Sequence, residues 1–191
     1  MEHTLVLMRH AKSDYPDGIP DHERPLAARG RRDAPRMGEW IRDNGYLPDL
    51  VLCSTAQRTR QTWDLVATEL GGSPAVTYDP RIYEASTLGM LMLVRELPGD
   101  TSTAMIVGHN PGTAELVAGL TGQRVTSFPT ATVAIVRIAG QWGSVAPGEA
   151  TLLALVTPGL LSSRLQVYRI VTCRPQCYLG FHYVLLEKYI Q

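Results

Sequence analysis

The sequence predicts an α/β protein of three layers, in which a mostly parallel central sheet of roughly six strands carries helices on both faces. Short apolar runs alternate along the chain with segments of helical periodicity. The runs are apolar at nearly every position, which is typical of strands buried on both faces. With 191 residues, the chain is long enough for a single domain with a full hydrophobic core.

Six apolar runs are the candidate strands, and the third of them is the weakest. They cover Thr4–Met8, Leu50–Cys53, Ala75–Tyr78, Ala104–Val107, Thr132–Val136 and Leu152–Val156.

Four helical patterns lie between these runs. In the first, Ala34, Met37 and Ile41 form one apolar stripe, and Asp33 is its predicted N-cap, which places Pro35 in the first turn. Stop signals end the four patterns at Asn44-Gly45, Gly71-Gly72, Pro98-Gly99 and Gly122. Because strands and helices alternate, we expect substrates to bind beyond the carboxyl ends of the strands.

Composition excludes several classes of protein. Lys and Arg total 18, as do Asp and Glu, so the chain lacks the charge excess of a nucleic-acid-binding protein. No apolar run reaches about 18 residues, so no membrane-spanning helix is expected, and the N-terminus does not resemble a signal peptide. Three cysteines are too few for a disulfide framework and fit a reducing compartment, which predicts a cytoplasmic location.

Three predicted strands end in polar groups suited to phosphate. The strand Thr4–Met8 runs into Arg9-His10, and the strand Leu50–Cys53 runs into a segment that includes Arg58. The strand Ala104–Val107 runs into His109. In a parallel sheet these ends meet at one edge, beside the N-termini of the following helices. Two guanidinium groups, two imidazoles and free helical N–H groups would form a pocket for a dianion such as phosphate.

Each of these segments also has a structural interpretation. An Arg-His pair after a strand can be a surface loop, and Gly108–Gly112 can be a turn with a structural histidine. The prediction of a phosphate pocket therefore depends on the occurrence of all three segments, in the order in which such a sheet would gather them.

Four sequence blocks resemble the histidine phosphatase superfamily, and within it the small phosphohistidine phosphatases of the SixA type. The blocks are Leu7–Ser13 (LMRHAKS), Arg24–Leu26 (RPL) with Gly30, Cys53–Thr62 (CSTAQRTRQT) and Val107–Gly112 (VGHNPG). Most members have glycine after the histidine of the first block, where this chain has Ala11. The resemblance covers roughly residues 3–158 and implies the three-layer fold of that superfamily.

The resemblance also implies roles for five residues. His10 would be the nucleophile, and Arg9, Arg58 and His109 would hold the phosphate oxygens. Glu84 occupies the position that often supplies a proton donor in the superfamily. As an alternative, Glu84 is a solvated carboxylate at the start of a helix.

The predicted site requires no cofactor and no metal, because arginine and histidine already meet the phosphate charge. The five histidines contain no H-x-x-x-H pair, and Cys173 and Cys177 have no second cysteine pair with which to bind zinc.

Three classes of function remain open. The first is a phosphohistidine phosphoprotein phosphatase, the second a phosphatase of small sugar or nucleotide phosphates, and the third a non-catalytic phosphate-binding regulatory protein. Only 50 residues separate Arg58 from His109, which leaves no room for a large helical cap and favours a phosphorylated protein as the partner. The same short spacing argues against a mutase.

Domain organisation is predicted as residues 1–160 for the phosphatase-like domain and 161–191 for an atypical extension. The extension differs in composition, with two of the three cysteines. An edge element, an oligomer contact and a foreign reading frame all remain open for it, and the sequence does not predict the oligomeric state.

Overall fold

All six predicted strands form one central sheet in the computed structural model, which describes residues 2–162 and the backbone of Arg169–Ile170 and Leu186–Glu187. The strands are β1 (Glu2–Arg9), β2 (Leu50–Ser54), β3 (Ala75–Asp79), β4 (Thr103–Gly108), β5 (Val133–Ala139) and β6 (Thr151–Val156). The segments Arg169–Ile170 and Leu186–Glu187 pair with each other as a separate antiparallel ladder. Apart from residues 161–162, the rest of the predicted extension lies outside the described residues.

The sheet is mixed, and its strand order is β3-β2-β4-β1-β5-β6. The four strands from β3 to β1 are mutually parallel, whereas β5 runs antiparallel to both β1 and β6. The prediction of a mostly parallel sheet is therefore confirmed. The antiparallel pair of β5 and β6 needs only a short connection, in contrast to the helical crossovers between parallel strands.

Helices cover both faces of the sheet. They are α1 (Ala28–Asp43), α2 (Gln57–Leu70), α3 (Thr87–Arg95), α4 (Gly112–Thr121) and α5 (Pro158–Ser162). Leu5 and Leu7 of β1 pack in the apolar cluster that contains α3 and α4, whereas Val6 and Met8 pack in the cluster that contains α1 and α2. This alternation buries both faces of β1 and confirms the three layers.

The predicted start of α1 is wrong. The helix begins at Ala28, so Asp33 is not a cap but lies buried inside the helix, where its Oδ2 accepts a hydrogen bond of 3.2 Å from Arg29 Nε. Pro35 also lies inside the helix rather than in its first turn. The added turns bring Gly30 against the chain after β1, where a Cβ atom would lie 2.2 Å from the carbonyl oxygen of Lys12. Only glycine allows this close approach.

The other helix boundaries follow the predicted signals closely. Gly71 and Gly122 adopt left-handed backbone conformations, with φ of 71° and 66°, and end α2 and α4 as predicted. The Ser86 hydroxyl accepts a hydrogen bond of 3.1 Å from the Gly89 N–H and caps α3. Within the described residues, no helix has the length and apolar character needed to cross a membrane.

Candidate active site

The carboxyl ends of β1, β4 and β2 meet at one edge of the sheet, as their predicted parallel order requires. Arg9 at the end of β1 pairs with Gly108 at the end of β4, and Val107 of β4 pairs with Cys53 of β2. The residues that follow these strands are consequently neighbours in space, although they are up to about one hundred positions apart in the sequence.

His10 is a buried, neutral imidazole, and one of its ring nitrogens has no hydrogen-bond partner among the described residues. Its Nδ1 lies 2.8 Å from the carbonyl oxygen of Ala11, and because a carbonyl only accepts, Nδ1 carries the proton and the lone pair lies on Nε2. Burial, together with the positive charges of Arg58 and Arg9, lowers the pKa of His10 to about 4. The Nε2 atom therefore carries an unprotonated lone pair at neutral pH.

His109 lies beside His10, with 5.2 Å between the two ring centroids. Its Nε2 is hydrogen-bonded at 2.8 Å to the hydroxyl of Ser54, which is fully buried at the end of β2. Burial lowers the pKa of His109 to about 3, with further contributions from His10 and Arg58. The ring is thus neutral in the free protein, and a bound phosphate dianion would raise its pKa.

Arg9 is held against the segment that precedes β5. Its Nη1 donates a hydrogen bond of 2.9 Å to the carbonyl oxygen of Phe128, which also accepts one of 2.9 Å from the Asn110 amide. The Nε of Arg9 and the Nδ1 of His109 are buried, and neither has a hydrogen-bond partner among the described residues. Buried polar atoms without partners are rare in proteins, and a bound water or ion is one kind of partner that can satisfy them.

Arg58 lies in the first turn of α2, with its guanidinium group buried. Its Nη1 donates a hydrogen bond of 2.5 Å to the backbone oxygen of Asp21, and its Nη2 donates one of 2.9 Å to the Asp21 carboxylate. The Thr62 hydroxyl donates to the carbonyl oxygen of Arg58 and accepts from the N–H of Ala11. These bonds fix the start of α2 relative to the residue after His10.

Asp21 contacts the predicted site residue Arg58, although the sequence analysis assigned no role to Asp21. Its carboxylate accepts hydrogen bonds of 2.7 Å from Arg24 Nη1 and 2.8 Å from the Tyr83 hydroxyl, in addition to the one from Arg58. These donors hold the pKa of Asp21 well below its usual range. Its sequence signal is its position three residues before Arg24, at the edge of the second sequence block.

Glu84 is the remaining predicted site residue. It follows Tyr83, whose ring packs edge-on against His109 with 5.4 Å between centroids. The Glu84 side chain is exposed, and within residues 2–162 it has no hydrogen bond or ion pair. Its φ of 55° is a left-handed conformation that is strained for a residue other than glycine. The structure therefore brings together His10, His109, Arg9 and Arg58, but not Glu84.

The side chains that could ligate a metal do not form a metal site among the described residues. Within the described residues, no group of three or more His, Cys, Asp or Glu side chains is placed to hold a metal ion, and Cys173 and Cys177 lie outside those residues. Cys53 is fully buried in the core as predicted, and burial raises the pKa of its thiol to about 12.

Comparisons with known proteins agree with this fold. Residues 5–96 match the family model of the histidine phosphatase superfamily (branch 1). The uncharacterized protein Rv1276c of Mycobacterium tuberculosis is 40% identical over 161 residues, which cover 79% of this chain and 99% of that protein.

Two solved structures are similar along most of their length. A candidate phosphohistidine phosphatase SixA from Nakamurella multipartitia is 32% identical, with a TM-score of 0.73 and coverage of 83% of this chain and 97% of that chain. The corresponding protein from Agrobacterium tumefaciens is 26% identical, with a TM-score of 0.71 and coverage of 82% and 98%. The chain belongs to the histidine phosphatase superfamily, and it is SixA-like in sequence and fold.

Proposed function

We propose that this protein is a phosphatase that hydrolyses phosphohistidine in proteins and that it does so through a phosphorylated His10. The observation that supports the proposal most directly is the state of His10 itself. Its ring is buried and neutral, its Nδ1 is bonded to the Ala11 carbonyl, and the charges of Arg9 and Arg58 act on it. This is the state that a nucleophile needs when it attacks an anionic phosphoryl group.

The proposed reaction has two steps. In the first, His10 Nε2 forms a bond to phosphorus in line with the departing ring nitrogen, while Arg9, Arg58 and His109 hold the phosphoryl oxygens. In the second, water attacks the phosphorus, releases phosphate and restores neutral His10. The buried Arg9 Nε and His109 Nδ1, which lack partners among the described residues, would gain hydrogen bonds to those oxygens.

The carboxyl groups around the pocket favour phosphohistidine over alkyl phosphates. An alkoxide leaving group needs a proton in the transition state, whereas imidazole leaves as a neutral ring once its other nitrogen is protonated. Asp21 is held ionised by three donors, so it is a poor acid. Glu84 is the proposed proton donor, but its exposed position suits a substrate that needs little help from an acid.

The surroundings of the pocket also support a protein substrate. The 50 residues between Arg58 and His109 are taken up by the remainder of α2, by β3, α3 and β4 and by their connections. Because these elements take up the segment, it contains no large helical cap over the carboxyl edge of the sheet. A phosphorylated side chain on a protein surface can therefore enter the pocket.

The test is phosphate release from a phosphohistidine peptide and from p-nitrophenyl phosphate, with a chelator present. Wild-type protein should release phosphate from both, and His10→Ala should release none. A brief reaction with a peptide that carries a labelled phosphoryl group, quenched in alkali, should leave the label on His10 of the wild-type protein, because phosphohistidine is stable in alkali. Faster turnover of sugar phosphates than of phosphohistidine would overturn the proposed substrate, and loss of activity with the chelator would overturn the metal-independent chemistry.

A further inference from the structure

A polar groove lies next to the candidate phosphate pocket. It has a volume of about 550 Å³ and runs between the helical turn Asp21–Glu23 and one face of α2. This volume is within the range of about 300–1,000 Å³ that is common for binding pockets, but ordinary small-ligand pockets have mainly apolar walls. Here the walls carry amide, hydroxyl and charged groups, among them His22, Glu23, Thr55, Gln57, Arg60 and Asp64.

The groove and the phosphate pocket share one wall. His22 Nε2 is hydrogen-bonded at 2.9 Å to the Thr55 hydroxyl, and Thr55 directly follows Ser54, which contacts His109. The Tyr83 ring packs edge-on against both His22 and His109, with centroid distances of 4.9 and 5.4 Å. Any chain attached to a phosphoryl group in the pocket can therefore continue over this wall into the groove.

Helix α2 serves both cavities through different faces. Arg58 is buried and acts on His10, whereas Gln57, Arg60 and Asp64 follow the spacing i, i+3 and i+7 and line the groove. The opposite wall is fixed by Asp21, because its bonds to Arg58 and Tyr83 anchor the turn that carries Glu23. Both walls are thus held in place relative to the phosphate pocket.

We propose that this groove binds the polypeptide segment that flanks the phosphohistidine of a substrate protein. The inference rests on the proposed function and adds the site that recognises the substrate. Amide and hydroxyl groups along the walls suit the N–H and C=O groups of an extended backbone. The groove is lined by one arginine and two carboxylates, Glu23 and Asp64, so it favours a basic residue beside the phosphohistidine over an acidic one.

The inference is tested by comparing substrates that share the same reacting group. We compare free phosphohistidine with ten-residue phosphohistidine peptides that carry either lysine or glutamate next to the modified residue. For the wild-type protein, kcat/KM should be about tenfold higher for the lysine peptide than for free phosphohistidine, with the difference mainly in KM. The glutamate peptide should fall between the two.

The variant Asp64→Arg should remove most of the advantage of the lysine peptide over free phosphohistidine. Asp100→Arg is the matched control, since it makes the same charge change at an exposed position at the opposite edge of the sheet. Thermal unfolding of both variants reports whether they are folded, and Gln57→Ala provides a second groove variant if Asp64→Arg is not.

The possible outcomes separate this inference from the proposed function. No hydrolysis of free phosphohistidine or of either phosphohistidine peptide by wild-type protein would overturn the proposed function. Hydrolysis of free phosphohistidine and of both peptides with equal kcat/KM would leave that function standing and overturn the groove as a binding site. An equal loss of peptide preference in Asp64→Arg and Asp100→Arg would also overturn it, because the effect would then be one of net charge.

Discussion

Arg58 and Asp21 form a charged pair at the mouth of the candidate active site, with 2.9 Å between Arg58 Nη2 and Asp21 Oδ2. The arginine side chain is buried, whereas the side chain of the aspartate is 51% exposed. The same carboxylate also binds Arg24 and the Tyr83 hydroxyl. Asp21 therefore ties together an arginine proposed to bind phosphate and two other side chains at the edge of the pocket.

We predict that Asp21→Asn weakens phosphate binding, because Arg58 loses a charged partner that orients its guanidinium group. The carboxylate is half exposed, so the expected effect is modest, about a fivefold rise in the inhibition constant of inorganic phosphate. Asp17→Asn is the control, since Asp17 is an exposed aspartate in the same segment. Tighter phosphate binding by Asp21→Asn would contradict a positioning role and would instead show that Asp21 competes with phosphate for Arg58.

The role of Glu84 is tested by the dependence of activity on the leaving group. If Glu84 is the proton donor, Glu84→Gln should lower kcat/KM for an alkyl phosphate by about 10²-fold or more, because general acid catalysis is lost. For phosphohistidine the loss should be far smaller, since imidazole leaves without a strong acid. Equal losses on both substrates would contradict this assignment, as would no loss on either.

Acid should destabilise the folded protein through its two buried histidines. In the folded chain the pKa values of His10 and His109 are about 4 and about 3, against 6.5 for an unperturbed histidine. Above pH 6.5 both rings are neutral in the folded and unfolded states, so they add no pH dependence. Below pH 6.5 the unfolded chain binds protons that the folded chain does not. The free energy of unfolding therefore decreases as the pH is lowered.

Urea unfolding between pH 7.5 and 5 in phosphate-free buffer measures this effect. Each histidine should contribute a slope approaching about 1.4 kcal/mol per pH unit toward the lower end of this range. His10→Gln should reduce the slope, because one of the two groups no longer titrates. An unchanged slope in this variant would contradict a depressed pKa for His10.

The sequence was sufficient to predict the order of strands and helices and the residues at the strand ends, because both depend on local patterns. Continuous apolar runs identified the strands, and parallel order then required Arg9, His10 and His109 to lie at one edge. The fully buried Cys53 was assigned to the core on the same basis.

Contacts between segments distant in the sequence were not predictable in the same way. Asp21 lies 37 positions before Arg58 and 62 before Tyr83, and no periodicity links these residues. The start of α1 was misplaced because Asp33 and Pro35 match a local start signal, whereas the close approach of Gly30 to Lys12 decides the boundary. Tertiary contact overrides local propensity at both places.

The last prediction concerns the domain boundary near residue 160. The residues proposed for catalysis lie between Arg9 and His109, and the buried residues of both apolar clusters lie between Leu5 and Val156. A chain that ends after Ser162 should consequently keep its melting temperature, and its kcat/KM for p-nitrophenyl phosphate should stay within about twofold of the full-length value. Circular dichroism and phosphate release on the two proteins measure these quantities. If the shortened chain unfolds, residues 163–191 belong to the domain; if it folds but loses activity, they contribute to the site.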